Sequence, residues 1–147
     1  MKKHVVFALL LPFLLMAACE PSRIKESRKM YREYIKSTLK DPNSLVFYEE
    51  KLIKEHKSSG EIEFYVDYGA KNSYGAMARM SHDVYVNVKE DYLIIDKLFV
   101  GKAFGKFMPI PISDRKGKDE ILEIYRELKA NQKSIDSLDA ELDKMRD

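Results

Sequence analysis

Glu61-Ile62-Glu63-Phe64-Tyr65-Val66-Asp67-Tyr68 decides the architecture. Side chains along a strand point alternately to opposite faces, so Ile62, Phe64, Val66 and Tyr68 share one face while Glu61, Glu63, Tyr65 and Asp67 share the other. One face is apolar and one is wet, as in an antiparallel strand covered on a single side. Upstream, Leu45 to Glu55 reads as a strand with mixed alternation, joined through the turn composition Lys57-Ser58-Ser59-Gly60. Downstream, Val84, Val86 and Val88 repeat the alternation within Asp83 to Val88. A charged turn, Lys89-Glu90-Asp91, leads into a more apolar partner from Tyr92 to Val100.

The apolar face of such a sheet needs a cover. From Ser22 to Lys40, Ile24, Tyr31, Tyr34, Ile35 and Leu39 recur at three- and four-residue steps, which places them on one side of a helix. The helix stops at Asp41-Pro42, because proline disfavours the helical region for the residue before it. The expected fold of residues 23–100 is therefore α+β, with an N-terminal helix packed on an antiparallel sheet of about four strands.

Residues 101–117 contain Gly101, Gly105, Pro109, Pro111 and Gly117 and are expected to form an irregular basic arm. Its Lys102, Lys106, Arg115, Lys116 and Lys118 are interleaved with Phe104, Phe107, Met108 and Ile110. Two readings stand: the arm lies on anionic headgroups, or it docks its apolar residues and leaves the lysines in water. Residues 118–147 carry two apolar series seven residues apart, Ile121, Leu128, Ile135, Leu142 and Ile124, Asn131, Leu138, Met145. This is an amphipathic helix with coiled-coil character, with Asn131 as the one polar seam position. Either the seam pairs with a protein partner or a second copy, or the helix folds back on its own domain.

The N-terminus combines Lys2 and Lys3, an apolar run from Val5 to Ala18, and the junction Leu15-Met16-Ala17-Ala18-Cys19. The run is short and broken by Pro12, unlike a spanning helix of roughly 20 apolar residues. It reads as a signal peptide over residues 1–18. Cys19 is the chain's single cysteine, and its setting resembles the lipobox of bacterial lipoproteins, with Met16 where that family usually has Leu. The resemblance implies palmitate-type lipidation at Cys19, a tether over residues 19–22 and a membrane-anchored envelope protein. Glu20 in place of an aspartate further resembles an outer-membrane destination. Removal of residues 1–18 takes away two lysines, leaving 24 basic and 24 acidic residues. A neutral chain lacks the positive field that nucleic-acid binding requires, so no nucleic-acid partner is expected.

Asp41-Pro42-Asn43-Ser44-Leu45-Val46-Phe47 and Ala70-Lys71-Asn72-Ser73-Tyr74-Gly75 resemble a small domain of uncharacterised exported proteins with D-P-x-S-x-x-F and A-K-N-S-x-G motifs. The resemblance implies a helix-plus-antiparallel-sheet fold and no known enzymatic activity. Tyr65-Val66 stands where that family commonly has Cys-Gly. The motif residues themselves suit a helix stop and a tight loop; a contact role for Lys71, Asn72 and Ser73 is the alternative. Tyr65 and Tyr85 are expected to face outward, either pairing across strands or forming an aromatic patch for a partner or glycan.

Ser81-His82-Asp83 is not a triad, since consecutive strand residues point to opposite faces. Gly105-Lys106 lacks the spacing of a phosphate loop, and Phe107 replaces the hydroxyl that would hold the metal. His56 and His82 have no acidic residues at ligand spacing, so neither a metal site nor any other cofactor is expected. The expectation is a non-enzymatic interaction or accessory lipoprotein of the cell envelope, or alternatively a ligand- or glycan-binding module on the periplasmic face.

Overall fold

A computed structural model describes residues 20–112 and 115–145; the expected signal peptide and Cys19 lie outside the described residues. The chain is α+β. Helix α1 (Ser22–Thr38) and a 3-10 turn (Pro42–Ser44) precede six strands: β1 (Val46–His56), β2 (Glu61–Lys71), β3 (Met77–Asn87), β4 (Tyr92–Ile95), β5 (Leu98–Ala103) and β6 (Lys106–Pro111). Helix α2 (Arg115–Lys144) closes the chain. The strands form one antiparallel meander in the order β1-β2-β3-β4-β5-β6.

The alternation of β2 is realised. Register pairs Phe64 with Val84 and Val66 with His82, and then Val86 with Leu93 and Leu93 with Val100. These residues share one face, and α1 lays Ile24, Met30, Tyr31, Tyr34 and Ile35 onto it. The Tyr31 and Phe64 rings meet at 5.2 Å between centroids. A second cluster occupies the opposite face, where Tyr92, Phe99 and Ala103 pack under Tyr125 of α2, with Ile94, Met108, Ile121, Leu122 and Leu128 at its margin. The helices thus cover different faces.

Six strands replace the expected four or so, and the described part of the expected irregular arm, residues 101–112, is mostly strand. Gly101 sits inside β5 because a Cβ there would overlap the Tyr125 ring. Gly105 occupies the β5–β6 turn at φ +72° beside Phe104 at φ +50°, a two-residue loop whose twist matches a hairpin. Pro109 and Pro111 lie on β6, which pairs only with β5. Proline has no N–H to donate, and an edge strand has one side on which none is needed. The residues that suggested a linker therefore serve a turn, a close contact and a sheet edge. Phe107 reaches the α1 side and meets Tyr34 edge-on at 5.5 Å, while Met108 joins the α2 side. Strand alternation has absorbed Phe107 and Met108, while Phe104 in the turn stays half exposed.

Gly101→Ala forces the Tyr125 ring off the sheet, and over-packing of this kind costs about 1–3 kcal/mol. Urea denaturation is expected to show that loss with an unchanged m-value.

Candidate functional site

The loop between β2 and β3 carries Lys71, Asn72 and Ser73. The Asn72 side-chain oxygen accepts from the Tyr74 and Ala76 backbone N–H groups at 2.9 and 3.1 Å. Its backbone N–H donates to the Ala76 carbonyl at 2.9 Å. Asn72 therefore closes the loop. The Lys71 backbone N–H donates to Ser44 Oγ at 2.8 Å, and Ser44 Oγ donates in turn to the Asp41 carbonyl at 2.7 Å. Asp41 caps the 3-10 turn by accepting from the Asn43 N–H. The two motif segments, 27 residues apart, are thus joined through one hydroxyl. The Lys71, Asn72 and Ser73 side chains remain at the surface.

Tyr65 and Tyr85 lie on the face of β2 and β3 turned away from α1, diagonal to one another through the Glu63–Tyr85 and Tyr65–Asp83 pairs. Both are half-buried, and Tyr85 Oη donates to Glu63 at 3.3 Å. Sequence reading missed the rest of this face. Tyr48 sits at a bulge of β1, half exposed over Gly69, with the Arg79 guanidinium 4.8 Å from its ring centre. Arg79 holds Asp67 in a two-pronged ion pair at 2.5 to 3.1 Å. The guanidinium lowers the Asp67 carboxyl from its ordinary value. A bulge shifts the period of two, which hid Tyr48 from an alternation count.

His82 is a second feature that sequence reading missed. Its Nδ1 lies 2.6 Å from Asp96 Oδ2, and its Nε2 lies 3.3 Å from Tyr68 Oη. His82 shares the α1 side with Val66, whereas Asp83 pairs with Tyr65 on the other side. His56 similarly meets Glu63 at 2.8 Å. Each of these histidines therefore meets one carboxylate, through contacts that depend on register and turns. Asp96 and Lys97 turn the chain at φ +48° and +61° without a glycine, and the His82 contact helps hold Asp96 there. Burial, then the Asp96 charge, raises the Tyr68 phenol above its ordinary value. Among the described residues no group of three or more His, Cys, Asp or Glu is placed to hold a metal ion.

No protein-family profile, curated protein or solved structure matches this chain.

The seam residues divide. Ile121 and Leu128 are partly buried against the sheet, and Tyr125 between them is fully docked. Tyr125 Oη lies 2.8 Å from the Asp91 carbonyl and 3.0 Å from the Lys102 N–H. Burial pushes its phenol up to about 12. Lys118 meets Glu61 at 2.8 Å, Arg126 meets Glu90 at 2.7 Å and Lys129 meets Asp91 at 3.0 Å. Gln132 accepts from the Phe104 N–H at 3.1 Å. Beyond Gln132 every described residue is exposed. Ile124, Ile135, Leu138, Leu142 and Met145 keep 62, 48, 60, 49 and 74 % of their surface in solvent, and Asn131 is exposed at the point of departure. Helix α2 therefore folds back over its first half and stands free over its second.

Glu61 is the buried charge of the docked half, bonded to Lys118 and to Tyr92 Oη at 3.0 Å. Burial acts to raise its carboxyl, but the Lys118 ammonium and neighbouring hydrogen bonds outweigh this, and the net displacement is downward. Glu50 is lowered in the same way, against burial, by Arg32 and Tyr31. Both groups bind fewer protons folded than unfolded near pH 4, so their stabilisation is complete above the carboxylate range and is lost as pH falls through it. Glu61→Gln is expected to cost about 1–3 kcal/mol at pH 7. Denaturant midpoints between pH 7 and pH 3 should fall less steeply for that variant than for the parent chain.

Proposed function

We infer that this protein is a lipid-anchored envelope protein that acts by position and by protein contact, without catalysing a reaction. One observation carries the contact half of the reading: the free end of α2 presents Ile135, Leu138, Leu142 and Met145 at steps of three, four and three residues. That is the spacing of a coiled-coil seam. The occupant that fits is the same segment of a second copy. Two heptads alone make a marginal helix, because forming the first turn fixes several residues for one hydrogen bond. Here the docked half has already met that cost, and the free half only propagates the helix. Asn131 stands at the seam's entrance, where a polar pair would set register. The anchoring half rests on the Ala17-Ala18-Cys19 junction and on the brevity of the tether before α1. The outer membrane, on its periplasmic leaflet or surface, is the corresponding location.

A second reading has its own observation. Tyr48, Tyr65, Tyr85 and Met77 lie on a stretch of the sheet's outer face where Tyr48 and Met77 stay half exposed, a platform suited to a sugar ring or other ligand. Alanine at Tyr48 and Tyr65 removes function under this reading only.

Sedimentation of the full chain should show mass rising with concentration. Leu138→Glu with Leu142→Glu should leave a folded monomer, because both side chains sit in solvent within the single chain. A parent chain that stays monomeric at every concentration removes self-association, and in-cell crosslinking from α2 then identifies any other occupant. Labelled palmitate should enter the parent and not the Cys19→Ser variant.

A further inference from the structure

Helix α1 has a crest. Lys25, Lys29, Arg32 and Lys36 follow one another at steps of four, three and four residues, a nearly straight line about 16 Å long on the side opposite Tyr31, Tyr34 and Ile35. All four are exposed. The helix holds six basic residues and two acidic ones. Most nearby carboxylates are already matched: Glu20 meets Arg28 at 2.8 Å, Glu50 is gripped by Arg32, and Glu33 lies 3.5 Å from Lys102 and 3.9 Å from Lys29. Glu26 is exposed and stands as the one helix carboxylate set against both Lys25 and Lys36. Lys25 and Lys36 have no ion-pair partner among the described residues. The crest therefore carries surplus positive charge although the chain beyond residue 18 is neutral.

We propose that this crest lies on anionic phospholipid headgroups, with α1 between the sheet and the bilayer. The proposal rests on the lipid-anchored reading. Three residues from Cys19 to α1 span at most about 10 Å when extended. That is close to the Debye length of about 8–10 Å at physiological ionic strength, so the start of the crest cannot leave the range in which headgroup charge is felt. A basic segment held there is drawn to a negatively charged surface. The acyl chain supplies attachment and the crest supplies orientation, leaving the outer sheet face and the free end of α2 available to other molecules.

The test is amine acylation of the full chain, purified from membranes and incubated with vesicles of phosphatidylcholine alone or with about one third phosphatidylglycerol. Labelling is read by mass spectrometry at each lysine, with the exposed Lys51 and Lys54 of β1 as internal references. On phosphatidylglycerol vesicles, labelling of Lys25, Lys29 and Lys36 is expected to drop several-fold relative to the references, and 1 M salt should reverse it. The Lys25→Glu, Lys36→Glu double variant should bind both vesicles equally and lose the protection at Lys29. Vesicle-bound parent protein that labels identically on both compositions overturns the crest while leaving the anchor intact. Binding and protection on phosphatidylglycerol alone, with none on phosphatidylcholine, keeps the crest and removes the anchor. No binding to either vesicle removes both, and protection by heparin but not by vesicles assigns the crest to a soluble polyanion and overturns the proposal.

Discussion

A sheet has two faces, and apolar surface on either must leave water. Everything in this molecule follows from how that requirement is divided between two helices. Helix α1 is short, amphipathic and fully used, and it covers the face built by Ile62, Phe64, Val66, Val84 and Leu93. The opposite face is apolar only where Tyr92, Phe99 and Ala103 come together, and there Tyr125 seals it. Over β1 to β3 the same face is polar and aromatic, so no third cover is required. The length of α2 then exceeds what packing can absorb, and the excess is left in water.

The α1 side was legible because local period and global burial agree. Clean alternation in β2 and helical spacing from Ile24 onward each name the residues that meet. The β5–β6 hairpin was not legible, because its glycines and prolines are the composition of a linker. Only the pairing tells an edge strand that tolerates Pro109 and Pro111 from a loop that needs them. Similarly, His82 and Asp96 are 14 residues apart, and the turn that unites them has positive φ at Asp96 and Lys97 where a glycine would ordinarily signal it. In the C-terminal helix, heptad spacing could not choose between a fold-back and a free seam. The structure uses each for half the length.

The motif residues of the middle segment are occupied by local backbone hydrogen bonds. Ser44 bridges the Asp41 carbonyl and the Lys71 N–H, and Asn72 ties together the loop that follows. Each accounts for backbone groups that would otherwise compete for water at the junction of the helix stop, β1 and the β2–β3 hairpin. Residues recruited in this way are constrained by the hydrogen bonds they already make. Surface that is free to evolve a contact lies elsewhere, on Tyr48 and Tyr65, on the α1 crest and on the last turns of α2.

Those last turns are the most economical of the three. A partner that orders a flexible segment must offset its lost backbone freedom, about 1–2 kcal/mol per residue. Helix α2 leaves the domain with its backbone direction already set by Tyr125, Arg126 and Gln132, each tied to the sheet's turns or strand ends. In the self-association proposed above, pairing at Ile135, Leu138, Leu142 and Met145 would require little more than side-chain ordering. Weakening the Tyr125 anchor would therefore reduce association at a distance, since the free half would have to nucleate its own helix. The packed cluster under α2 and the exposed seam beyond it are energetically one element.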